Sequence, residues 1–163
     1  MNKTQKVVGS GLLVAIGVLL GANFYIPFGV AKAFPLQHLI NVMAGVLFGP
    51  VYGVMCAFLI SLFRNLMGTG SLLAFPGSMI GAFLSAMLYK HYKNYIFACI
   101  GEFIGTGIIG SLLAYPTAKY LMGMDKGAFF FVVPFAISSA TGAILGFILL
   151  KAILHRMPKH EIS

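Results

Sequence analysis

The composition of the 163-residue chain indicates a lipid environment and excludes an ordinary water-soluble domain. Hydrophobic residues make up 60% of it and charged residues only 9%, whereas soluble domains carry about 25% charged residues. The formal net charge is +8, but the basic residues stand at the ends of apolar runs. That placement is typical of membrane topology and argues against nucleic-acid binding. The length predicts a single membrane domain over residues 1–163.

The apolar runs predict six transmembrane helices, at about residues 7–25, 36–48, 51–66, 76–89, 95–121 and 128–150. A spanning helix needs about 20 apolar residues, so the uncharged run at 36–63 is too long for one straight span. Gly49-Pro50 divides it, because proline lacks an amide donor and clashes with the preceding turn. The first half, 36–48, is short for a full crossing. The predicted fold class is therefore an all-α integral membrane protein.

The distribution of basic residues predicts that both termini are cytoplasmic. The first apolar run is longer than the core of a signal peptide, so we interpret it as a retained helix. The inner side then holds Lys3, Lys6, Lys90, Lys93, Lys151, Arg156 and Lys159. The outer side or outer membrane half holds Lys32, Arg64, Lys119 and Lys126. This asymmetry follows the positive-inside rule, and a single span over 36–63 would weaken it.

The first predicted helix carries small residues four positions apart, at Gly11 and Ala15 and again at Gly17 and Gly21. Such spacing leaves a groove in which another helix backbone can approach closely. The groove suits a partner subunit, and it equally suits packing within the same bundle. Both interpretations stay open from the sequence.

Three polar residues, Gln37, His38 and Asn41, lie near the outer end of the second predicted helix. Gln37 and Asn41 share a helical face and His38 flanks them. Polar side chains in hydrocarbon either join helices or bind a solute. The ligand interpretation gains weight from the neighbouring loop on the same side of the membrane.

That loop lies within residues 61–78 and contains Arg64, Asn65, a Gly-Thr-Gly turn and a Phe75-Pro76-Gly77 break. Irregular backbone at membrane depth is tolerated where it is buried in protein or lines a cavity. An arginine at a helix end commonly extends to the lipid headgroups. The adjacent asparagine and glycine turn favour a binding pocket instead.

Glu102 lies inside the fifth predicted helix, and an intramembrane carboxylate is by default a functional hypothesis. Two alternatives remain: it is protonated, or it pairs structurally with Arg64 or a backbone donor. Further along the same helix, Tyr115 places an aromatic ring near the outer surface.

Catalytic and metal-binding motifs are missing from the sequence. It contains no phosphate-binding Gly-x-x-x-x-Gly-Lys-Ser/Thr loop, no His-Glu-x-x-His and no Cys-x-x-Cys. Cys56 and Cys99 fall in apolar segments and are interpreted as buried hydrophobes. We therefore predict no enzyme, no cofactor and no metal site, and favour a solute-binding protein or conduit.

Several segments together resemble a known family. They are Gln37-His38-x-x-Asn41-Val42, Gly45-Val46-Leu47-x-Gly49-Pro50, Arg64-Asn65-Leu66-x-Gly68-Thr69-Gly70, Leu73-Ala74-Phe75-Pro76-Gly77-Ser78-Met79 and Gly101-Glu102-x-x-Gly105-Thr106-Gly107. The chain resembles the ThiW family, substrate-binding S components of energy-coupling factor (ECF) vitamin transporters. The resemblance covers about residues 37–116. In the first helix, glycine replaces much of the alanine that such proteins use there.

The resemblance implies that the chain captures a thiamine precursor outside the cell, in the cytoplasmic membrane. A coupling subunit and two ATPase subunits would power its delivery. The implied ligand is hydroxyethylthiazole, a neutral ring that needs aromatic surfaces, available from Phe34, Phe75 or Tyr115. Its polar atoms need donors and acceptors. The residues predicted to provide them are Gln37, His38, Asn41, Arg64, Asn65 and Glu102.

Three other functions remain possible from the sequence. The chain could bind thiamine or another small heterocycle in the same way. It could be a stand-alone proton-coupled transporter that uses Glu102, although such carriers usually contain two repeats and none is visible. It could also be a structural protein whose polar residues only join helices.

Overall fold

The computed structural model describes residues 1–21, 23–28 and 31–154. Within these ranges lie six helices and one hairpin. They are α1 (Lys3–Gly21), β1 (Ile26–Phe28), β2 (Ala31–Ala33), α2 (Pro35–Phe48), α3 (Pro50–Leu66), α4 (Ala74–Tyr92), α5 (Tyr95–Leu121) and α6 (Val132–Leu154). The predicted all-α fold with six helices is confirmed. Arg156 and Lys159, predicted for the inner side, lie outside the described residues, as does the side chain of Lys32.

The helix ends differ from the expected bounds. α1 begins at Lys3 and stops at Gly21, earlier than the predicted end at 25. The segment between the first two predicted helices, at 26–35, contains the strands of an antiparallel hairpin, in which Ile26 pairs with Ala33. α4 begins at Ala74, which places Pro76 in its first turn, where backbone amides have no helical acceptor.

The predicted division at Gly49-Pro50 is confirmed. Gly49 is the single residue between α2 and α3, and its φ of +91° lies in the region that favours glycine. Pro50 occupies the start of α3, and Pro35 likewise starts α2. Proline suits this position because its φ is already helical and its missing N–H costs nothing there.

Helix α2 is the central element of the bundle. Its 14 residues span about 21 Å at 1.5 Å each, which is short of the roughly 30 Å hydrocarbon layer. Eleven of those residues are buried, because α1, α3, α4, α5 and α6 all pack against it. A helix enclosed by protein does not have to match the thickness of the lipid.

The distribution of side chains is the reverse of a soluble protein's. The buried polar set includes Arg64, Glu102, Asn41 and Gln37. Exposed apolar side chains run along the outer faces, among them Val8, Leu12, Val51, Met55, Ile96, Ile100, Ile104, Ile108, Ile144 and Ile148. Three helices, α1, α5 and α6, are long and apolar enough to span a membrane, while α2 and α3 are apolar but shorter. This arrangement fits a bilayer as solvent.

Helices α4 and α5 approach each other through glycine. A Cβ added at Gly105 would lie 2.7 Å from the Cα of Gly81, and one at Gly101 would lie 2.6 Å from the carbonyl oxygen of Leu84. α5 is π-helical over Phe103–Gly110, and such widened turns occur often at functional sites. The close approach brings Glu102, at the start of this segment, against the centre of the bundle.

We expect Gly81→Ala to lower the thermal stability of the detergent-purified protein. The added Cβ would collide with Thr106 Oγ1 and lie 2.8 Å from Glu102 Oε1, and overpacking of this kind costs about 1–3 kcal/mol. The measurement is the melting temperature. Gly11→Ala is the matched control, because a Cβ there meets nothing within 4 Å. Equal melting temperatures for the two variants would contradict the proposed close packing.

Candidate functional site: a buried polar network beneath an aromatic cavity

Arg64, in the last turn of α3, points into the protein. Its side chain is only 1% exposed. Nη1 donates a 2.7 Å hydrogen bond to Gln37 Oε1, and Nη2 donates a 3.1 Å bond to the carbonyl oxygen of Thr69. The guanidinium carbon lies 3.8 Å from the centre of the Phe34 ring, a close cation–π contact. This geometry replaces the alternative in which Arg64 extends to the lipid headgroups.

The loop at residues 67–73 is tied to the end of α3. The carbonyl oxygen of Arg64 accepts two 2.9 Å backbone hydrogen bonds from the turn. Asn65 Nδ2 donates to the carbonyl oxygens of Ser61, at 2.8 Å, and Ser71, at 3.0 Å. The Arg64-Asn65 pair therefore fixes the loop through both backbone and side-chain groups.

A chain of side-chain hydrogen bonds leads inward from Arg64. Gln37 Nε2 donates to Ser61 Oγ at 2.8 Å, and Ser61 Oγ lies 3.0 Å from Ser78 Oγ. These residues come from α2, α3 and α4. Each bond satisfies a polar atom that would otherwise be costly to bury.

Glu102 lies at the centre of the bundle and is fully buried. Its Oε1 atom is 2.8 Å from His38 Nδ1, 3.0 Å from Asn41 Nδ2 and 2.9 Å from Thr106 Oγ1. Within the described part of the chain, Oε2 has no hydrogen-bond partner. Three polar groups from α2 and α5 thus converge on one carboxyl oxygen, and the ionisable side chain in contact with Glu102 is His38 in place of Arg64.

Two adjoining cavities lie beside this network, and they share Phe34, Ser71 and Phe135. The outer cavity has a volume of about 300 Å³ and lies beneath the two loops that follow α3 and α5. Its wall consists of Phe34, Gly68, Thr69, Gly70, Ser71, Leu73, Met122, Met124, Phe130, Phe131, Pro134 and Phe135. Such a volume stands at the lower end of small-molecule sites, which run from about 300 to 1,000 Å³.

The inner cavity measures about 50 Å³ and is more polar in its residues. It is lined by Phe34, Gln37, His38, Arg64, Ser71, Ala74, Gly77, Ser78, Thr106, Phe135 and Ser138. A third cavity of about 330 Å³ lies elsewhere, against Tyr25, Leu36 and Leu145, with an almost wholly apolar wall. Within the described ranges, no group of three His, Cys, Asp or Glu side chains could hold a metal ion.

The predicted ligand-binding residues fall into three groups. Gln37, His38 and Arg64 line the inner cavity. Asn41 and Glu102 are fully buried behind it, joined to His38 through Glu102 Oε1. They hold wall residues in place without lining either cavity.

The remaining three, Asn65, Phe75 and Tyr115, contact other groups. Asn65 fixes the loop backbone. Phe75 packs against Phe58, with ring centres 5.8 Å apart. Tyr115 Oη lies 3.5 Å from Lys119 Nζ on α5. None of the three is among the residues that line the outer or inner cavity, so their role in ligand binding stays a prediction.

The small residues of α1 separate into two faces. Gly11 and Ala15 are exposed. Gly17 and Gly21 are buried, and a Cβ at Gly17 would lie 2.6 Å from the side chain of Ile60. One pair is thus open to a partner, while the other is used for packing inside the bundle.

Sequence reasoning did not identify the aromatic and serine residues contributed by α6 and the loop before it. Phe130, Phe131 and Phe135 line the outer cavity, and Ser138 lines the inner one and accepts a 2.7 Å hydrogen bond from the backbone N–H of Phe34. The available signal was the Phe129-Phe130-Phe131 run beside Ser138-Ser139. In an apolar helix these residues are otherwise indistinguishable from lipid-facing or packing residues.

A solved structure from a known class of membrane protein has a similar fold. The structure described as "Structure and mechanism of the S component of a bacterial ECF transporter" matches with a TM-score of 0.71 and 19% sequence identity, over 95% of this chain and 96% of the other. The fold is therefore that of an ECF S component. The family model described as "Thiamine-precursor transporter protein (ThiW)" matches residues 7–156, and the chain belongs to the ThiW family. No curated protein matches it.

Proposed function

We propose that this chain is the substrate-binding S component of an ECF-type importer for a thiamine precursor, hydroxyethylthiazole. It captures the precursor outside the cell and delivers it inward, together with a transmembrane coupling subunit and two ATPase subunits. The chain itself binds the precursor, and the ATPase subunits hydrolyse ATP. The observation that carries this proposal is the aromatic outer cavity that continues into a polar inner one.

The chemistry of the cavities suits a small neutral heterocycle. Phe34, Phe131 and Phe135 offer ring surfaces on which a thiazole can stack. Most of the polar side chains lie at the inner end, where they can orient the ligand. The buried network behind that end keeps those side chains in fixed positions before the ligand arrives, which reduces the entropic cost of binding.

We further propose that all six helices cross the cytoplasmic membrane and that the bundle has a fixed orientation in it. The cavities lie at the end of the bundle that carries the hairpin and the loops after α3 and α5. The opposite end carries Lys3, Lys6, Lys90 and Lys93. By the positive-inside rule, the basic end faces the cytoplasm and the cavities face outward.

Calorimetric titration of the detergent-purified protein tests the substrate. We expect hydroxyethylthiazole to bind with micromolar or tighter affinity. Arg64→Met should weaken binding by about tenfold or more, because Gln37 and the loop carbonyl of Thr69 lose a charged donor. Lys90→Met is the matched control, since Lys90 is exposed near the end of α4, at the opposite end of the bundle from the cavities.

Two results would change the proposed substrate. Tighter binding of thiamine than of the thiazole would keep the mechanism and replace the substrate. If folded wild-type protein bound neither compound, the proposed substrate class would be wrong.

The exposed Gly11 and Ala15 face of α1 is the proposed docking site for the coupling subunit. A bulky side chain there should block close approach of another helix. We expect Gly11→Leu to bind ligand normally but to reduce uptake by the assembled transporter by about tenfold or more, equivalent to about 1.4 kcal/mol of docking free energy. Ile108→Phe, at an exposed site on α5, is the control. Normal uptake by Gly11→Leu would place docking elsewhere.

A stand-alone proton-coupled carrier is the second candidate. The observation that favours it is the buried contact between His38 and Glu102, at 2.8 Å, since paired titratable groups within membranes occur in proton relays. The uptake assay separates the two. Gradient-driven uptake by the chain alone in proteoliposomes would support the carrier, and a requirement for the coupling subunit and ATPases would support the S component.

A further inference from the structure

The volumes of the two cavities indicate which part of the ligand each cavity can hold. The inner cavity, at about 50 Å³, has room for a few water-sized groups at most, because one water needs about 10–15 Å³ of such volume. A thiazole ring requires the outer cavity of about 300 Å³. A short arm ending in a hydroxyl group fits the inner one.

The contact with Glu102 indicates which ring nitrogen of His38 faces the bundle and which one faces the inner cavity. Asn41 presents its amino group to Glu102, because Nδ2 also donates a 3.1 Å hydrogen bond to the carbonyl oxygen of Ser78, which can only accept. Glu102 Oε1 therefore accepts from Asn41. A histidine nitrogen that faces a carboxylate oxygen is commonly the protonated one, so the 2.8 Å contact favours a proton on His38 Nδ1.

With Nδ1 committed to Glu102, Nε2 is the ring nitrogen that remains for the inner cavity, which His38 lines. A neutral imidazole protonated at Nδ1 has a lone pair at Nε2 and accepts hydrogen bonds there. Glu102 has no place in the cavity wall and acts through His38.

We propose that His38 Nε2 accepts a hydrogen bond from the alcohol of the bound precursor, with Glu102 as the positioning residue that fixes the ring. The hydroxyethyl arm then occupies the inner cavity and the thiazole ring stacks in the outer one. The inference rests on the proposed function for the identity of the ligand. It adds that the site selects a free alcohol with a hydrogen to donate.

A ligand series with the wild-type protein tests this selection by calorimetry. The three compounds are hydroxyethylthiazole, its methyl ether and 5-ethyl-4-methylthiazole, which lacks the oxygen. We expect the alcohol to bind about 10- to 100-fold more tightly than the other two, because both leave a buried acceptor unpaired. Similar affinities for all three would overturn the inference while leaving the proposed function intact. If none of the three compounds bound, both the inference and the proposed function would be wrong.

His38→Asn supplies the second arm of the test. The asparagine amide can still donate to Glu102 from the position of Nδ1, but nothing replaces Nε2. The variant should bind the alcohol about as weakly as the ethyl compound, and its affinity for the ethyl compound should stay near the wild-type value. His91→Asn is the matched control, at an exposed histidine near the end of α4. Undiminished preference for the alcohol in His38→Asn would contradict the assignment.

Nitrogen-15 NMR of histidine-labelled wild-type protein gives a readout that does not depend on a variant folding. Nε2 of His38 should show the signature of an unprotonated nitrogen, and its signal should move when the alcohol binds but much less with the ethyl compound. Glu102→Gln, which retains an acceptor oxygen for Nδ1–H, should preserve this signature. A wild-type spectrum in which Nε2 carries the proton would overturn the proposal.

Discussion

A carboxylate enclosed by protein at the centre of a membrane bundle is the constraint on which the site depends. Glu102 is fully buried, so its hydrogen bonds come from other protein groups, two on α2 and one, Thr106, on its own helix. Glycine contacts such as that between Gly81 and Gly105 make this possible, because they bring the α5 backbone close to α4 and leave Glu102 within reach of α2. His38 and Asn41 complete the arrangement. We therefore expect changes at Glu102, Asn41 or either glycine to alter the inner cavity from behind its wall, whereas His38 lies in the wall itself.

The site has a polar inner part and an aromatic outer part, and the two parts are built from different kinds of structure. The polar part belongs to helices, where Gln37 and Arg64 line the inner cavity, Glu102 lies behind it, and buried hydrogen bonds hold all three. The aromatic part belongs largely to loops, and loops are the segments that most readily move. This division suits a binding subunit, because the polar groups keep their positions for recognition while the covering segments can admit the ligand.

Much of the bundle could be predicted from the sequence, and much of the cavity wall could not. Charge-free runs, the Gly49-Pro50 break and the basic clusters indicate six helices with few alternatives, because a bilayer restricts what each run can do. A polar residue such as Arg64 or Glu102 is conspicuous in an apolar run. Phe131 and Phe135 are not, since aromatic residues there can face lipid, core or ligand equally well. Nor does spacing reveal that Asn65 bonds to the loop backbone.

A crystal structure that locates the bound ligand would show which cavity holds the thiazole ring. A selenazole analogue of hydroxyethylthiazole would mark the ring by the anomalous signal of selenium, which separates it from the sulfur of the native cysteines and methionines. We expect a single selenium site in the outer cavity, against Phe34 and Phe135, with the arm directed towards His38. A selenium site in the apolar cavity beside Tyr25 and Leu145 would contradict it, because the polar network would then have no part in recognition.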